Sequence, residues 1–352
     1  GGTGGHLFPG LAVAEAWVSA GGRVLLLVSE KKIDQEASRK YREYRFETIP
    51  ALPKPPTFSP QMLPFLWSLW RTIGRCRTLL RDFRADAVLG MGGFTSLPPV
   101  VAGKRLGIPA YVHDSNALPG KANRVTARWC EGIFIGLAPA SGYFPGKECV
   151  VTGTPVRKEL AVLPGRADAA AKWKLDPARP VVLVMGGSQG ARKLNALMAA
   201  AVLPEGVQVL HIAGPGEEAT VAGMVGGRPD YHVVGFCDDM ASAYAVADAV
   251  VARSGASSLT ELAHAGLPSL LVPFPFAADD HQTVNARVFE SAGAAMLEQE
   301  RDLDASKLAG LVTRLLDPDV RAEMAAKARS LAVPDAAERV VREIRRRLET
   351  KA

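Results

Sequence analysis

Two glycine-rich stretches constrain this chain most strongly. They are Gly1-Gly2-Thr3-Gly4-Gly5-His6 at its start and Gly186-Gly187-Ser188-Gln189-Gly190 in its second half. Each runs into a helix-like pattern, and the second follows a continuous apolar run, residues 180–185. Glycine admits positive φ and lets a backbone approach a ligand closely. Amides at a helix N-terminus make an anion site, most often for phosphate. Neither stretch has the GxGxxG spacing of a dinucleotide fingerprint, which disfavours a nicotinamide dehydrogenase. The competing reading is a tight turn in which glycine only relieves crowding; the return of a similar loop weighs against it. A strand should feed the first loop as one feeds the second. A first strand and an initiator methionine are therefore expected to precede Gly1.

Around the loops, short apolar runs bounded by Gly, Pro or charge alternate with helical patterns. Residues 23–28, 85–90, 109–113 and 133–135 read as buried parallel strands, as do 180–185, 208–212, 232–236, 249–252 and 269–273. The pattern breaks over 158–179, which marks a domain boundary. The expected fold is α/β, with two Rossmann-like doubly wound domains, 1–160 and 161–333, facing across a cleft. That arrangement is called GT-B. The last helix, about 334–348, carries five arginines and either lies on the surface or crosses back to the first domain. At 352 residues, 48% hydrophobic and 22% charged, the chain can bury full cores. Its net charge of +6 suits an acidic ligand or an anionic membrane surface. No nucleic-acid-binding signature accompanies that charge. Cys76, Cys130, Cys149 and Cys237 show no CxxC spacing, so a reducing compartment without disulfides or a metal site is expected.

Residues 58–84 depart from the alternation. Met62, Leu63, Phe65, Leu66, Trp67, Leu69, Trp70 and Ile73 stand beside Arg71, Arg75, Arg77, Arg81 and Arg84. The uncharged part is too short for a membrane span and contains Pro60 and Pro64. Two readings stand: a helix lying on an anionic membrane surface, or a core helix with a solvated basic face.

Several residues could carry chemistry. Thr3, Gly4 and Gly5 offer amides and a hydroxyl to a phosphate or sugar. His6 sits where the helix dipole favours a neutral, proton-accepting imidazole, although a single histidine is more often structural. His113-Asp114-Ser115-Asn116 ends a strand at its carboxyl end, where a plain turn is the rival account. Arg157, in Gly153-Thr154-Pro155-Val156-Arg157, suits bidentate phosphate contacts or is an ordinary surface arginine. Ser188 lies in the second loop and could hold a diphosphate without a metal. In Arg253-Ser254-Gly255-Ala256-Ser257-Ser258-Leu259-Thr260-Glu261, small residues precede a carboxylate suited to ribose hydroxyls. That carboxylate could equally just complement the helix dipole. Asp279-Asp280-His281-Gln282 offers amide and imidazole donors to sugar hydroxyls, against ordinary helix capping. The aspartates lack an obvious third ligand, so no metal site is expected.

Taken together, GGTGGHLFPGLAVA, GMGGF, HDSN, GTPVR, GGSQGA, RSGASSLTE and DDHQTVNA occur in this order over the whole chain. In that order they resemble the MurG family of peptidoglycan N-acetylglucosaminyltransferases, in glycosyltransferase family 28. The resemblance implies an inverting GT-B enzyme that needs no metal for its core chemistry. It would act at the cytoplasmic face of the bacterial membrane, in cell-wall biogenesis. It implies UDP-N-acetylglucosamine (UDP-GlcNAc) as donor, held by Ser188 at the diphosphate, the backbone of Cys237 at uracil and Glu261 at ribose. Ala256, Ser257, Ser258, Leu259 and Thr260 would contribute amides, and Gln282 would hold sugar hydroxyls. Thr3, Gly4, Gly5, Asn116 and Arg157 would close the site from the first domain. The acceptor would be lipid I, with residues 58–84 on the anionic membrane. His6 is the expected general base, with Asp114 second. Phe94, Asp114, Cys237 and His281 depart from the residues familiar at those positions. The rival readings are another GT-B transferase, which would not share HDSN or the opening loop, and a nucleotide-sugar-binding protein without turnover.

Overall fold

The computed structural model describes residues 4–31, 34, 35, 38, 39, 41–50, 55, 56, 58–160, 162–186 and 191–351. The chain divides into two compact units, Gly1–Arg157 with Asp335–Ala352, and Lys158–Pro334.

The first unit opens with α1 (Gly4–Ser19), β1 (Leu25–Val28) and β2 (Arg45–Thr48). It continues through α2 (Met62–Phe83), β3 (Val88–Gly90), α3 (Leu97–Arg105), β4 (Ala110–Asp114) and α4 (Lys121–Thr126), then β5 (Gly132–Ile135) and β6 (Cys149–Val151). The strands form two parallel sheets, β1-β2 and β3-β4-β5-β6. Side chains alternate across a strand, and β4 shows the consequence. Val112 enters a core with Ile73, Cys76 and Leu80 of α2 and Val100 of α3. Its neighbour Tyr111 enters the opposite core, with Ala12 and Val13 of α1.

The second unit is one six-stranded, all-parallel sheet in the order β12-β11-β10-β7-β8-β9. Its elements are α5 (Arg166–Trp173), β7 (Val181–Met185), α6 (Arg192–Ala200), β8 (Gln208–Ile212), α7 (Glu218–Val225), β9 (Tyr231–Val234), α8 (Met240–Val246) and β10 (Ala249–Ala252). There follow α9 (Ala256–Ala265), β11 (Ser269–Leu271), α10 (His281–Ser291), β12 (Ala295–Leu297), α11 (Ala305–Leu316) and α12 (Pro318–Ser330). The chain grows outward from β7 to β8 and β9, then returns to place β10 on the other side. The carboxyl ends of β7 and β10 therefore flank the switch point at which open α/β sheets bind ligands.

The final helix, α13 (Ala336–Glu349), belongs to the first unit. Val340, Val341 and Ile344 fill the core under α1. Arg347 pairs with Glu343 at 2.6 Å and Glu148 at 2.7 Å. All nine expected strands are present, 208–212 and 249–252 with the expected ends and the other seven with shifted ones. β2, β6 and β12 are additions of three or four residues.

Candidate functional site

In the first unit, α1 starts at Gly4, which places Gly5 and His6 in its first turn. Thr3 lies outside the described residues. His6 packs against Gly92, whose φ is +109°; a Cβ there would lie 2.7 Å from His6 Cδ2 and 3.3 Å from Asn123 Nδ2. Ser96 fixes this glycine by accepting from its N–H at 3.0 Å and donating to its carbonyl at 2.8 Å. Burial, with Lys31 and His113 nearby, pulls the His6 imidazole down to about 4 against the opposing pull of Asp34. It is therefore neutral near pH 7.

Asp114 ends β4 almost wholly buried. Its Oδ1 accepts from the Asn116 N–H at 2.9 Å and Nδ2 at 3.2 Å. Its Oδ2 accepts from the Gly120 N–H at 3.1 Å and Asn123 Nδ2 at 2.7 Å. Four donors engage both oxygens, so this carboxylate organises a loop. Asp114, the second expected base, therefore has both oxygens engaged in this structure. Asn116 is held in the same cluster. His113 Nε2 meets the Gly153 carbonyl at 2.9 Å, tying β4 to the loop that carries Arg157. The Arg157 guanidinium stacks over Phe8 of α1, 4.5 Å from the ring centre. The structure thus gathers His6, Asn116, Asn123 and Asp114 into one cluster and seats Arg157 on the same helix as His6.

In the second unit, Gly255 precedes α9 in an extended conformation and no side chain caps the helix. The first-turn amides of Ala256, Ser257 and Ser258 have no intrahelical acceptor. Those of Leu259 and Thr260 do: the Leu259 N–H donates to Gly255 at 3.0 Å, and Thr260 follows by helix geometry. Leu259 is fully buried, and the Thr260 hydroxyl donates to the Ala256 carbonyl at 2.9 Å. The expected run of five donating amides therefore shortens to three.

Glu261 stands one turn further along α9, where its Oε2 accepts from the Tyr244 hydroxyl at 2.7 Å. Gln282, at the start of α10, is tied to the same region. Its carbonyl accepts from Ser254 Oγ at 2.8 Å and its Oε1 from the Phe274 N–H at 2.9 Å, which leaves Nε2 as the group to offer. Before it, Asp279 and Asp280 hold left-handed φ values of 53° and 54°. Such conformations cost free energy and collect at ligand sites. Arg253 is buried, donates to the carbonyls of Val272 at 3.1 Å and Pro273 at 2.9 Å, and pairs with Glu300. Cys237 is buried after β9, and burial raises its thiol to about 11, so only its backbone suits a base contact. Ser188 lies outside the described residues.

Gly92, Asn123, Tyr244 and Arg253 escaped the sequence reading as site residues. Gly92 and Arg253 lay inside motifs already noted. Nothing in the local sequence marks Asn123 or Tyr244, whose partners come from other elements.

Residues 1–135 match the glycosyltransferase family 28 N-terminal domain and residues 181–340 its C-terminal domain. A relative from Gloeobacter violaceus, named UDP-N-acetylglucosamine–N-acetylmuramyl-(pentapeptide) pyrophosphoryl-undecaprenol N-acetylglucosamine transferase, is 38% identical over 96% of this chain and 94% of its own. One of the same name from Solidesulfovibrio magneticus is 38% identical over 97% and 95%. The crystal structure of Acinetobacter baumannii MurG superposes with a TM-score of 0.77, at 28% identity, over 98% of this chain and 97% of that one. The glycosyltransferase of kitacinnamycin shares the fold at a TM-score of 0.73 and 18% identity, over 97% and 96%. The expected GT-B class is the fold of these proteins.

Proposed function

The chain belongs to glycosyltransferase family 28, and on that footing we propose that it moves N-acetylglucosamine from UDP-GlcNAc to lipid I, giving lipid II. The observation that carries this reading is the entry to α9. Three first-turn amides with no intrahelical acceptor, the Glu261 carboxylate and the Gln282 amide lie at a switch point, in a chain 38% identical to enzymes named for this transfer.

The donor binds the second unit. The amides of Ala256, Ser257 and Ser258 face the diphosphate with Ser188, Glu261 accepts from ribose hydroxyls, and Gln282 Nε2 donates to the sugar. The C4 hydroxyl of the N-acetylmuramyl group attacks the anomeric carbon, a C–O bond forms there, and the bond to the diphosphate breaks. UDP leaves with the bonding pair, the hydroxyl proton passes to His6, and the link is β1→4 with inversion. Helix N-terminal amides and Arg157 stabilise the departing diphosphate, and no metal is required.

The acceptor's lipid calls for a membrane-facing surface, and α2 supplies one. Leu63, Leu66, Trp67 and Trp70 are exposed on its N-terminal half, while Ile73, Cys76 and Leu80 of its C-terminal half are core. Arg71 stacks over Trp67 at 4.6 Å, placing cationic and apolar groups together. The C-terminal half of this stretch is thus a core helix, and the exposed N-terminal half is the part that suits a membrane surface. No described helix is long and apolar enough to cross a membrane. The protein sits on the cytoplasmic face through α2.

Incubating the protein with sugar-labelled UDP-GlcNAc, with and without a short-chain lipid I analogue, tests the proposal. Label should move into the lipid fraction only when the analogue is present. Label recovered as free sugar, or unmoved, would overturn it.

A further inference from the structure

Two buried charges in the second unit stand behind Gln282. Arg253 follows β10 directly, and Glu300 lies three residues beyond β12, the edge strand of the same sheet. Their side chains pair past the carboxyl end of β11, with Arg253 only 6% exposed and Glu300 8%. Taking two charges out of water costs about as much as their attraction returns, so such a pair adds little stability over an apolar one. What its guanidinium holds matters more. Arg253 donates to the carbonyl of Val272 at 3.1 Å and to that of Pro273 at 2.9 Å, and lies over the Phe274 ring at 5.5 Å. One side chain thus fixes three successive residues. Glu300 is the carboxylate paired with that guanidinium among the described residues.

The fixed segment leads to Gln282. The Val272 N–H still pairs with Ala252 of β10 at 2.8 Å, and Pro273, which has no N–H, ends that ladder. The next main-chain donor, the Phe274 N–H, goes to Gln282 Oε1 at 2.9 Å. An N–H can only donate, so the amide oxygen must face it and Nε2 must turn the other way. Ser254, the neighbour of Arg253, holds the same residue by its main chain, donating to the Gln282 carbonyl at 2.8 Å. The Ser254 carbonyl accepts in turn from Asn285 Nδ2 at 3.2 Å, one turn along α10. Gln282 is therefore gripped at side chain and main chain by the two segments that Arg253 joins.

We propose that the Arg253–Glu300 pair positions the Gln282 amide and so determines recognition of the donor's sugar, separately from its nucleotide. This assignment rests on the donor reading given above, in which Gln282 Nε2 meets a sugar hydroxyl. Both charged residues are positioning residues, since neither touches the donor. Without the clamp, residues 272–274 lose their fixed course and the Phe274 N–H leaves the amide oxygen. The amide can then rotate and offer either end, and its aim at one hydroxyl is lost. The nucleotide contacts at α9 do not pass through this clamp.

Calorimetric titrations of the full chain with UDP-GlcNAc and with UDP test this. Arg253→Met combined with Glu300→Leu removes the clamp without stranding a buried charge, so it should melt within about 4 °C of the parent. Its affinity for UDP should match the parent's, while that for UDP-GlcNAc falls about fivefold, the scale of one hydrogen bond. Glu300→Gln keeps the shape but strands the Arg253 charge; it should melt lower and show the same split between ligands. In a Gln282→Ala background neither change should weaken UDP-GlcNAc further, because the contact they position is already gone. Equal losses for both ligands, unchanged affinity for both, or the full loss repeated in the Gln282→Ala chain would overturn the proposal. A parent that binds UDP but not UDP-GlcNAc would instead overturn the donor reading, and this assignment with it.

Discussion

The Tyr244 hydroxyl, on α8, donates to Oε2 of Glu261, on α9, at 2.7 Å. Tyr244 is almost wholly buried, so its ring cannot itself meet a ligand. It acts by holding one carboxylate oxygen and aiming the other. Tyr244→Phe should raise KM for UDP-GlcNAc about tenfold, the scale of one hydrogen bond to a charged group, with kcat within about twofold of the parent. The same variant should discriminate less between the donor and its 2′-deoxy counterpart. A purely structural role would instead lower the melting temperature and leave that preference intact.

Gly92 and His6 form a second pair in which sterics decide the outcome. Gly92→Ala would put a Cβ 2.7 Å from the imidazole at a φ of +109°. The ring must move, and misplacing a catalytic group by about 1 Å costs on the order of 10²-fold in rate. We expect kcat to fall by about that factor while a UDP titration gives the parent's affinity.

Much of this was legible in the sequence because it is local. Glycine at a strand's end, an apolar run of parallel-strand length and a carboxylate in a helix's first turns each announce themselves within ten residues. The buried strands around Val112 and Val184 were found because both faces are apolar. β2, with Arg45 and Glu47, gave no such run. The four donors to Asp114, among them Asn123 from another element, cannot be seen along the chain. Leu259 and Thr260 looked like donors until the position of Gly255 fixed which amides the helix uses itself.

Asp114→Asn separates anchor from base. Replacing one acceptor oxygen by an amide disrupts a buried four-bond cluster and should cost about 2 kcal/mol or more, read as a lower urea midpoint. The acid limb of the rate profile should not move. A fully stable but inactive variant would return the base role to Asp114.

For α2, Trp67→Ser with Trp70→Ser should reduce sedimentation with anionic vesicles by about tenfold or more. Transfer to a water-soluble acceptor analogue should remain near the parent rate. Added salt should weaken vesicle binding in both proteins, because the arginines act through screened charge.

The imidazoles of His6 and His211 are both drawn down to about 4, by burial before any other cause. Folding therefore favours their neutral forms. Below the ordinary histidine range near 6.5 the unfolded chain takes up protons that the folded chain refuses. The stability these groups contribute is complete above about pH 6.5 and is lost as pH falls toward 4. Urea midpoints should decline over that window, and His211→Asn should flatten part of the decline. If His6 is the base, its acid limb in kcat/KM should fall near pH 4 rather than 6.5.

The most direct measurement is the initial rate of transfer from UDP-GlcNAc to a short-chain lipid I analogue in EDTA, for the parent and His6→Ala. The account predicts a β1→4 product from the parent. For His6→Ala it predicts a kcat lower by about 10²–10⁴-fold with UDP affinity unchanged. Near-normal turnover by His6→Ala, or no product from a parent that still binds UDP, would contradict it.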